Sequence, residues 1–280
     1  MTQDKYSAVW VSHSSIGDFL KCPRSYYLKN VYRDTKTGRK ISISNPALSL
    51  GQAVHATLEG LKNFPVNERL PHNLLLDFEE NWKKVSGKLG GFKNNEEEHE
   101  VKQRGYSMIE RVIKNPGPIS RKTVLIKLGH NGMPSNFYLS EEENIILCGL
   151  IDWLEYIEYD DSIVVLDFKT GKNDEKEDSL QLPIYLLLLN TLQKRKVSGA
   201  RYWYIDRDAN PVDMPLPNVE ESRERVLKIA LEIKTARQEK SFRCPRGVGG
   251  CFACKPYEMI INGKAEYAGV GDQAKDIYVL

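Results

Sequence analysis

The run from residue 145 to 168 constrains the fold most: IILCGLIDWLEYI, then the turn YDDS, then SIVVLDF. β-Branched, aromatic and aliphatic residues on both sides of a polar turn predict two neighbouring strands closed as a hairpin. Further runs, TVLIKL and FYLS around the turn HNG and ARYWYID at 200 to 206, extend this into a sheet-forming middle. Residues two apart in a strand share a face, so Asp167 and Lys169 project together and Phe168 points the other way. With Asp152 in the first strand and YDDS as the turn, Asp152 comes close to Asp167.

Two carboxylates and an ammonium at one sheet edge have a clear chemical use. Carboxylate oxygens hold Mg²⁺ or Mn²⁺, and a lysine beside them orients water or stabilises charge on phosphoryl oxygens. The set suits phosphodiester hydrolysis. A bare D-x-K is equally the pattern of a surface salt bridge at a strand end.

Helical patterns surround the sheet. VSHSSIGDFLKCP has a capping serine and Ile16, Phe19 and Leu20 at helical spacing, which places Cys22 at the end of a short helix. Further helices are expected over 46 to 63, 72 to 85, 97 to 114, 179 to 195 and 218 to 239. The N-terminus lacks the basic start and apolar run of a secretory signal, and LPIYLLLL at 182 to 189 is too short to span a bilayer. A soluble cytoplasmic protein without membrane contact is expected. In a reducing compartment, clustered thiols read as metal ligands before disulfides. A net charge of +2 neither demands nor excludes a nucleic-acid partner.

Five blocks occur in order: VSHSSIGDFLKCPRSYYL, LGQAVHATLEG, GLIDWLE, VLDFKTGK and LQLPIYLLLL. In this order the chain resembles the RecB-like branch of the PD-(D/E)XK nucleases, which includes CRISPR-associated exonucleases with an iron-sulfur cluster. The resemblance implies an α/β fold, a restriction-endonuclease-like mixed β-sheet core flanked by helices. It makes Asp152 and Asp167 metal ligands and catalytic groups, Lys169 the catalytic lysine, and the Phe168 backbone carbonyl and His55 further ligands. Read alone, His55 is also a helix residue bonded to Glu59 at i+4. Gln181 and Tyr185 match the family's Q-x-x-x-Y, which contacts DNA and supports the active site; read alone, Tyr185 is equally core.

FRCPRGVGGCFAC places Cys244, Cys251 and Cys254 together, and the resemblance supplies Cys22 as the fourth ligand of a 4Fe-4S cluster. Four thiolates suit tetrahedral zinc equally well, and buried thiols without a metal are the third reading. The family commonly places C-x-x-C before its third downstream cysteine, and here Cys244 comes first. The glycines at 247, 249 and 250 offer a loop that folds back to present it. Cys148, alone in an apolar strand, reads as core.

Near Cys22, the residues Arg24, Lys29, Arg33, Arg39 and Lys40 offer charges for phosphates, and Tyr26, Tyr27 and Tyr32 offer stacking surfaces. A solvated helix face with inward tyrosines fits the same string, and Arg24, beside the cysteine, is the chosen DNA contact. The expected organisation is an N-terminal helical part (1–118), a nuclease core (119–240) and a cysteine-cluster segment with tail (241–280), folded as one unit. The expected activity is Mg²⁺- or Mn²⁺-dependent hydrolysis of DNA, with single-stranded ends as substrate by family analogy. The rival from another class is a non-catalytic nucleic-acid-binding module. A third reading is the nuclease partner of a separate helicase or of CRISPR adaptation proteins, since the sequence carries no G-x-x-x-x-G-K-[ST] phosphate loop.

Overall fold

The computed structural model describes residues 7–127, 129, 133–271 and 274–280, so the expected HNG turn lies outside the described residues. The chain opens with β1 (Val9–Val11), α1 (His13–Lys21), α2 (Pro23–Tyr26) and β2 (Ile41–Ile43). A helical stretch follows: α3 (Pro46–Gly60), α4 (Val66–Arg69), α5 (Leu74–Lys83) and α6 (Asn95–Lys114). The middle holds β3 (Ser135–Ser140), β4 (Ile145–Gly149), β5 (Trp153–Ile157), β6 (Ser162–Lys169), α7 (Gln181–Leu192), β7 (Lys196–Tyr204) and β8 (Val212–Met214). After α8 (Val219–Gln238) come α9 (Lys255–Ile261), β9 (Glu266–Gly271) and β10 (Lys275–Val279).

Among the described residues the strands form three mixed sheets, ordered β1-β4-β3, β2-β10-β9 and β5-β6-β7-β8. This mixed α/β architecture, with helices against the sheets, is the restriction-endonuclease-like arrangement that the family resemblance implies. The expected hairpin is present: β5 and β6 pair antiparallel with Trp153 opposite Leu166, and Asp161 takes a left-handed φ of 51° in the turn. β7 then lies parallel to β6 after the α7 crossover.

Alternation along β6 separates two cores. Leu166 and Phe168 join Trp153, Trp203 and the buried faces of α3, α5 and α6. Ile163 and Val165 instead pack with Leu182, Tyr185 and Leu186 of α7. Asp167 therefore faces α7. This helix is apolar all round because its other side is covered by Leu139, Ile145 and Leu147 from the β1-β4-β3 sheet.

Two strand expectations are corrected. IILCGLIDWLEYI is not continuous: β4 and β5 belong to different sheets, and Asp152 lies in the break just before β5. Its side chain explains the break, because Asp152 Oδ2 accepts the Phe168 N–H at 2.9 Å, where a backbone carbonyl would continue the ladder. TVLIKL, over its described residues 123–127, makes only the isolated bridge of Thr123 to Glu155, although Val124 N–H still reaches the Leu154 carbonyl at 3.0 Å.

The tail is anchored to the N-terminal part. β10 pairs parallel with β2, and the fully buried Asp276 accepts from Arg39 Nε at 2.8 Å and Thr37 Oγ1 at 2.5 Å. Among the described residues no helix is long and apolar enough to cross a membrane.

Helix packing sets a stability prediction at Gly105 of α6. A Cβ there would sit 2.4 Å from Phe78 Cζ and 3.1 Å from Leu50 Cδ1, both on side chains that are themselves buried. Gly105→Ala gains up to about 1 kcal/mol of helix propensity, but overpacking costs about 1–3 kcal/mol. Net destabilisation is expected as a lower urea midpoint. A higher midpoint would show that the α5–α6 contact yields to a methyl group.

Candidate active site

The two aspartates, the lysine and the α7 pair meet in one buried network. Lys169 Nζ lies 3.0 Å from Asp167 Oδ2. Gln181 Nε2 donates to Asp167 Oδ1 at 2.6 Å, and the Tyr185 hydroxyl donates to the same oxygen at 2.9 Å. The Gln181 carbonyl in turn accepts from Lys169 Nζ. The four-residue spacing of Gln181 and Tyr185 on a helix lets both reach one carboxylate. Pro183 is in the first turn of α7, where its missing N–H leaves no intrahelical bond unmade.

On the other side, α3 carries His55 toward Asp152. Its Nδ1 lies 3.3 Å from Asp152 Oδ2 and 3.6 Å from Oε1 of Glu59, the i+4 residue of the same helix. His55, Glu59 and Asp152 form a group whose ligand atoms lie within 4.8 Å of one another. In a strand, a residue's N–H and C=O point to one side. The Phe168 carbonyl thus turns to the same side as its N–H, which Asp152 accepts.

Two acidic residues at this site were not singled out from sequence. Glu59 was weighed only as a partner of His55, although its place one turn further on the same helix face was a readable signal. Glu175 Oε2 accepts from Lys169 Nζ at 2.6 Å from the irregular 170–180 connection, where no periodicity marks it.

The electrostatics describe a site short of positive charge. Burial and the neighbouring Asp152 charge push the Asp167 carboxyl up to about 7, against the pull of Lys169 and His55. Burial acts upward on Asp152 too, but His55, the Phe168 N–H and Lys62 outweigh it and hold its carboxyl below the usual range. Burial disfavours the His55 cation, yet Asp152 and Glu59 overcome this and raise it to about 10. Protons on Asp167 and His55 thus offset crowded carboxylates. A divalent cation among oxygen donors and one imidazole does the same, so these residues fit Mg²⁺ or Mn²⁺. Mn²⁺ binding is expected to release protons from both Asp167 and His55, and to tighten steeply with pH up to about 7 and less steeply above it while His55 still holds its proton. Calorimetry in buffers of different ionisation enthalpy measures this release; identical heats in every buffer would contradict it.

A second centre lies where the ends of the chain meet. Cys22 joins α1 to α2, Cys254 precedes α9, and Cys244 and Cys251 flank a loop in which Gly247 and Gly250 take φ of 77° and 71°. Those left-handed residues reverse the loop as expected and bring Cys244 to the others. The four buried Sγ atoms lie within 4.8 Å of one another. Burial pushes the Cys22 thiol up to about 12, whereas the Ala253 and Cys254 N–H groups overcome burial at Cys251 and bring it to about 7. Four converging sulfurs with one already inclined to ionise fit a thiolate-bound metal or cluster. Cys148 is elsewhere, its Sγ 3.4 Å from the Val11 carbonyl.

Arg24 lies against this centre, donating from Nη1 to Glu258 Oε1 at 2.9 Å and to the Val248 carbonyl at 3.2 Å. Lys29 pairs with Asp18 and Arg39 with Asp276. Tyr26 is fully buried, and Tyr27 stacks against Phe242 with centroids 5.0 Å apart.

The sequence profile of the PD-(D/E)XK nuclease superfamily matches residues 10–258, and the chain belongs to that superfamily. No curated protein matches it in sequence. Superfamily membership defines the coarse class as a metal-dependent nuclease; the match includes both the Asp152–Asp167–Lys169 network and all four clustered cysteines.

Proposed function

We propose that this chain is a Mg²⁺- or Mn²⁺-dependent deoxyribonuclease, an exonuclease that degrades single-stranded DNA from its ends in repair, recombination or DNA processing. The carrying observation is the buried network in which Lys169 and the α7 pair hold Asp167 while His55 reaches Asp152 from α3. Asp152, Asp167, His55 and the Phe168 carbonyl would hold the cation, with Glu59 at its edge. When bound, it supplies Lewis acidity toward water and neutralises phosphate charge. Lys169 donates to the attacking water or to the phosphoryl oxygen as charge develops there. Gln181 and Tyr185 fix the Asp167 carboxylate, and Arg24 supplies a phosphate contact near the cysteine centre.

The test is cleavage of end-labelled linear single- and double-stranded DNA beside closed circular single strands, with Mn²⁺ or Mg²⁺. A product ladder from linear single strands with circles left intact supports the reading and gives the polarity. Cut circles would make the enzyme an endonuclease. Folded protein that binds DNA and cuts nothing would favour the binding module, or a nuclease active only with a helicase or CRISPR adaptation partner.

For the cysteines, the family resemblance supports a 4Fe-4S cluster. The sulfur spacing favours a second reading, one tetrahedral zinc. Bonds of about 2.3 Å give sulfur–sulfur edges of about 3.8 Å, and Cys251 and Cys254 Sγ are 3.9 Å apart. A cubane binds each thiolate to a different iron and spreads the sulfurs wider. Brown protein absorbing near ~400 nm supports iron, and colourless protein with one equivalent of zinc supports the second reading.

A further inference from the structure

The Lys169 ammonium is held on three sides. It donates to Glu175 Oε2 at 2.6 Å and to the Gln181 side-chain carbonyl, and it pairs with the Asp167 carboxylate, Nζ to Oδ2 3.0 Å. Turning this ammonium toward substrate means giving up one of these partners. Asp167 and Gln181 are buried on β6 and α7 and also bond each other. Glu175 differs: it stands on the irregular connection between these elements with its side chain 24% exposed, tied through its backbone N–H to the Tyr204 hydroxyl at 3.1 Å.

Burial disfavours the Glu175 charge, and Lys169, whose Nζ lies 2.6 Å from Oε2, is the main offset. An ammonium so placed is also a donor that holds phosphate oxygens. We propose that Lys169 forms a subsite for a phosphoryl oxygen of the polynucleotide backbone, and that the Glu175 carboxylate occupies it until substrate displaces it. The inference rests on the nuclease reading above and adds to it where the phosphate enters and which group it replaces.

The test is the affinity of a fluorescein-labelled single-stranded oligonucleotide, read by anisotropy in Ca²⁺. Wild type, Glu175→Gln, Glu175→Ala, Lys169→Ala and the Glu175→Gln/Lys169→Ala double variant are compared. Glu175→Gln keeps the size of the side chain and the backbone bond to Tyr204. Both Glu175 variants are expected to bind about tenfold more tightly, equal to about 1.4 kcal/mol. The gain is expected to vanish when Lys169 is absent, because the two residues act as a unit. Unchanged or weaker binding by both Glu175 variants overturns the proposal, as does a gain that persists without Lys169. Cleavage of the same oligonucleotide by wild type in Mn²⁺ separates the two levels. If wild type cuts and the Glu175 variants bind no tighter, only the subsite falls. If wild type neither binds nor cuts, the nuclease reading falls and the subsite with it.

Discussion

Lys169→Ala is expected to lower DNA cleavage by about 10²–10⁴-fold, the range for removing a group that moves or stabilises a proton in the transition state. Two effects contribute, and they separate by pH. The ammonium is lost as a donor, and Asp167 loses the cation 3.0 Å from its Oδ2. Asp167 already sits at about 7 through burial and repulsion by Asp152, so without Lys169 it moves higher and competes less well for metal at neutral pH. Raising the pH recovers the ionisation of Asp167 and leaves the donor part missing. Asp167→Ala is expected to abolish cleavage, but it also strands buried donors on Gln181 and Tyr185, at about 1–3 kcal/mol for each unpaired group. Asp167→Asn keeps the volume and is the better-folded comparison. Folded Lys169 and Asp167 variants that cut like wild type would remove this network from the chemistry.

Much of this site was legible because its logic is local. Period-two alternation put Asp167 and Lys169 on one face, and it holds: Asp167 faces α7 while Phe168 packs against Trp153 and Trp203. The four-residue spacings of His55 with Glu59 and of Gln181 with Tyr185 were readable for the same reason. The break after Gly149 was not, because an aspartate that replaces a ladder carbonyl leaves no mark in hydrophobic pattern. β9 and β10 were missed because their support is β2, more than two hundred residues away, and periodicity carries no information on such pairing. Cys22 has the same remoteness from Cys244. Spacing alone does not join them; only the ordered likeness to a family did. Glu175 had neither aid, since its role depends on where an irregular connection comes to rest.

Cys22→Ser is expected to lower the metal content of the second centre and to reduce Tm by about 10–20 °C, about 2–4 °C for each kcal/mol in a domain of this size. The magnitude follows from what the centre joins. A link from Cys22 to Cys244 closes a loop of more than two hundred residues, which in the chain-entropy picture is worth about 5 kcal/mol. The apolar cluster around it holds the four cysteines with Leu28, Ile41, Tyr257 and Ile260, so without a metal it is thin. Other ties to the tail, such as Arg24 to Glu258 and Ser25 Oγ to the Ala253 carbonyl, are partly exposed and contribute less. Cys148→Ser is the control: its sulfur lies outside the group, so metal content should not change. The loss should also reach the active site, because α1 ends against Cys22 and starts at His13, which lies near enough to Glu175 and Lys169 to feel their charges. Weaker oligonucleotide binding by folded Cys22→Ser protein is therefore expected beside the Tm change. A Cys22→Ser protein that keeps its full metal content and Tm would show that the other three cysteines hold the centre without the N-terminal segment.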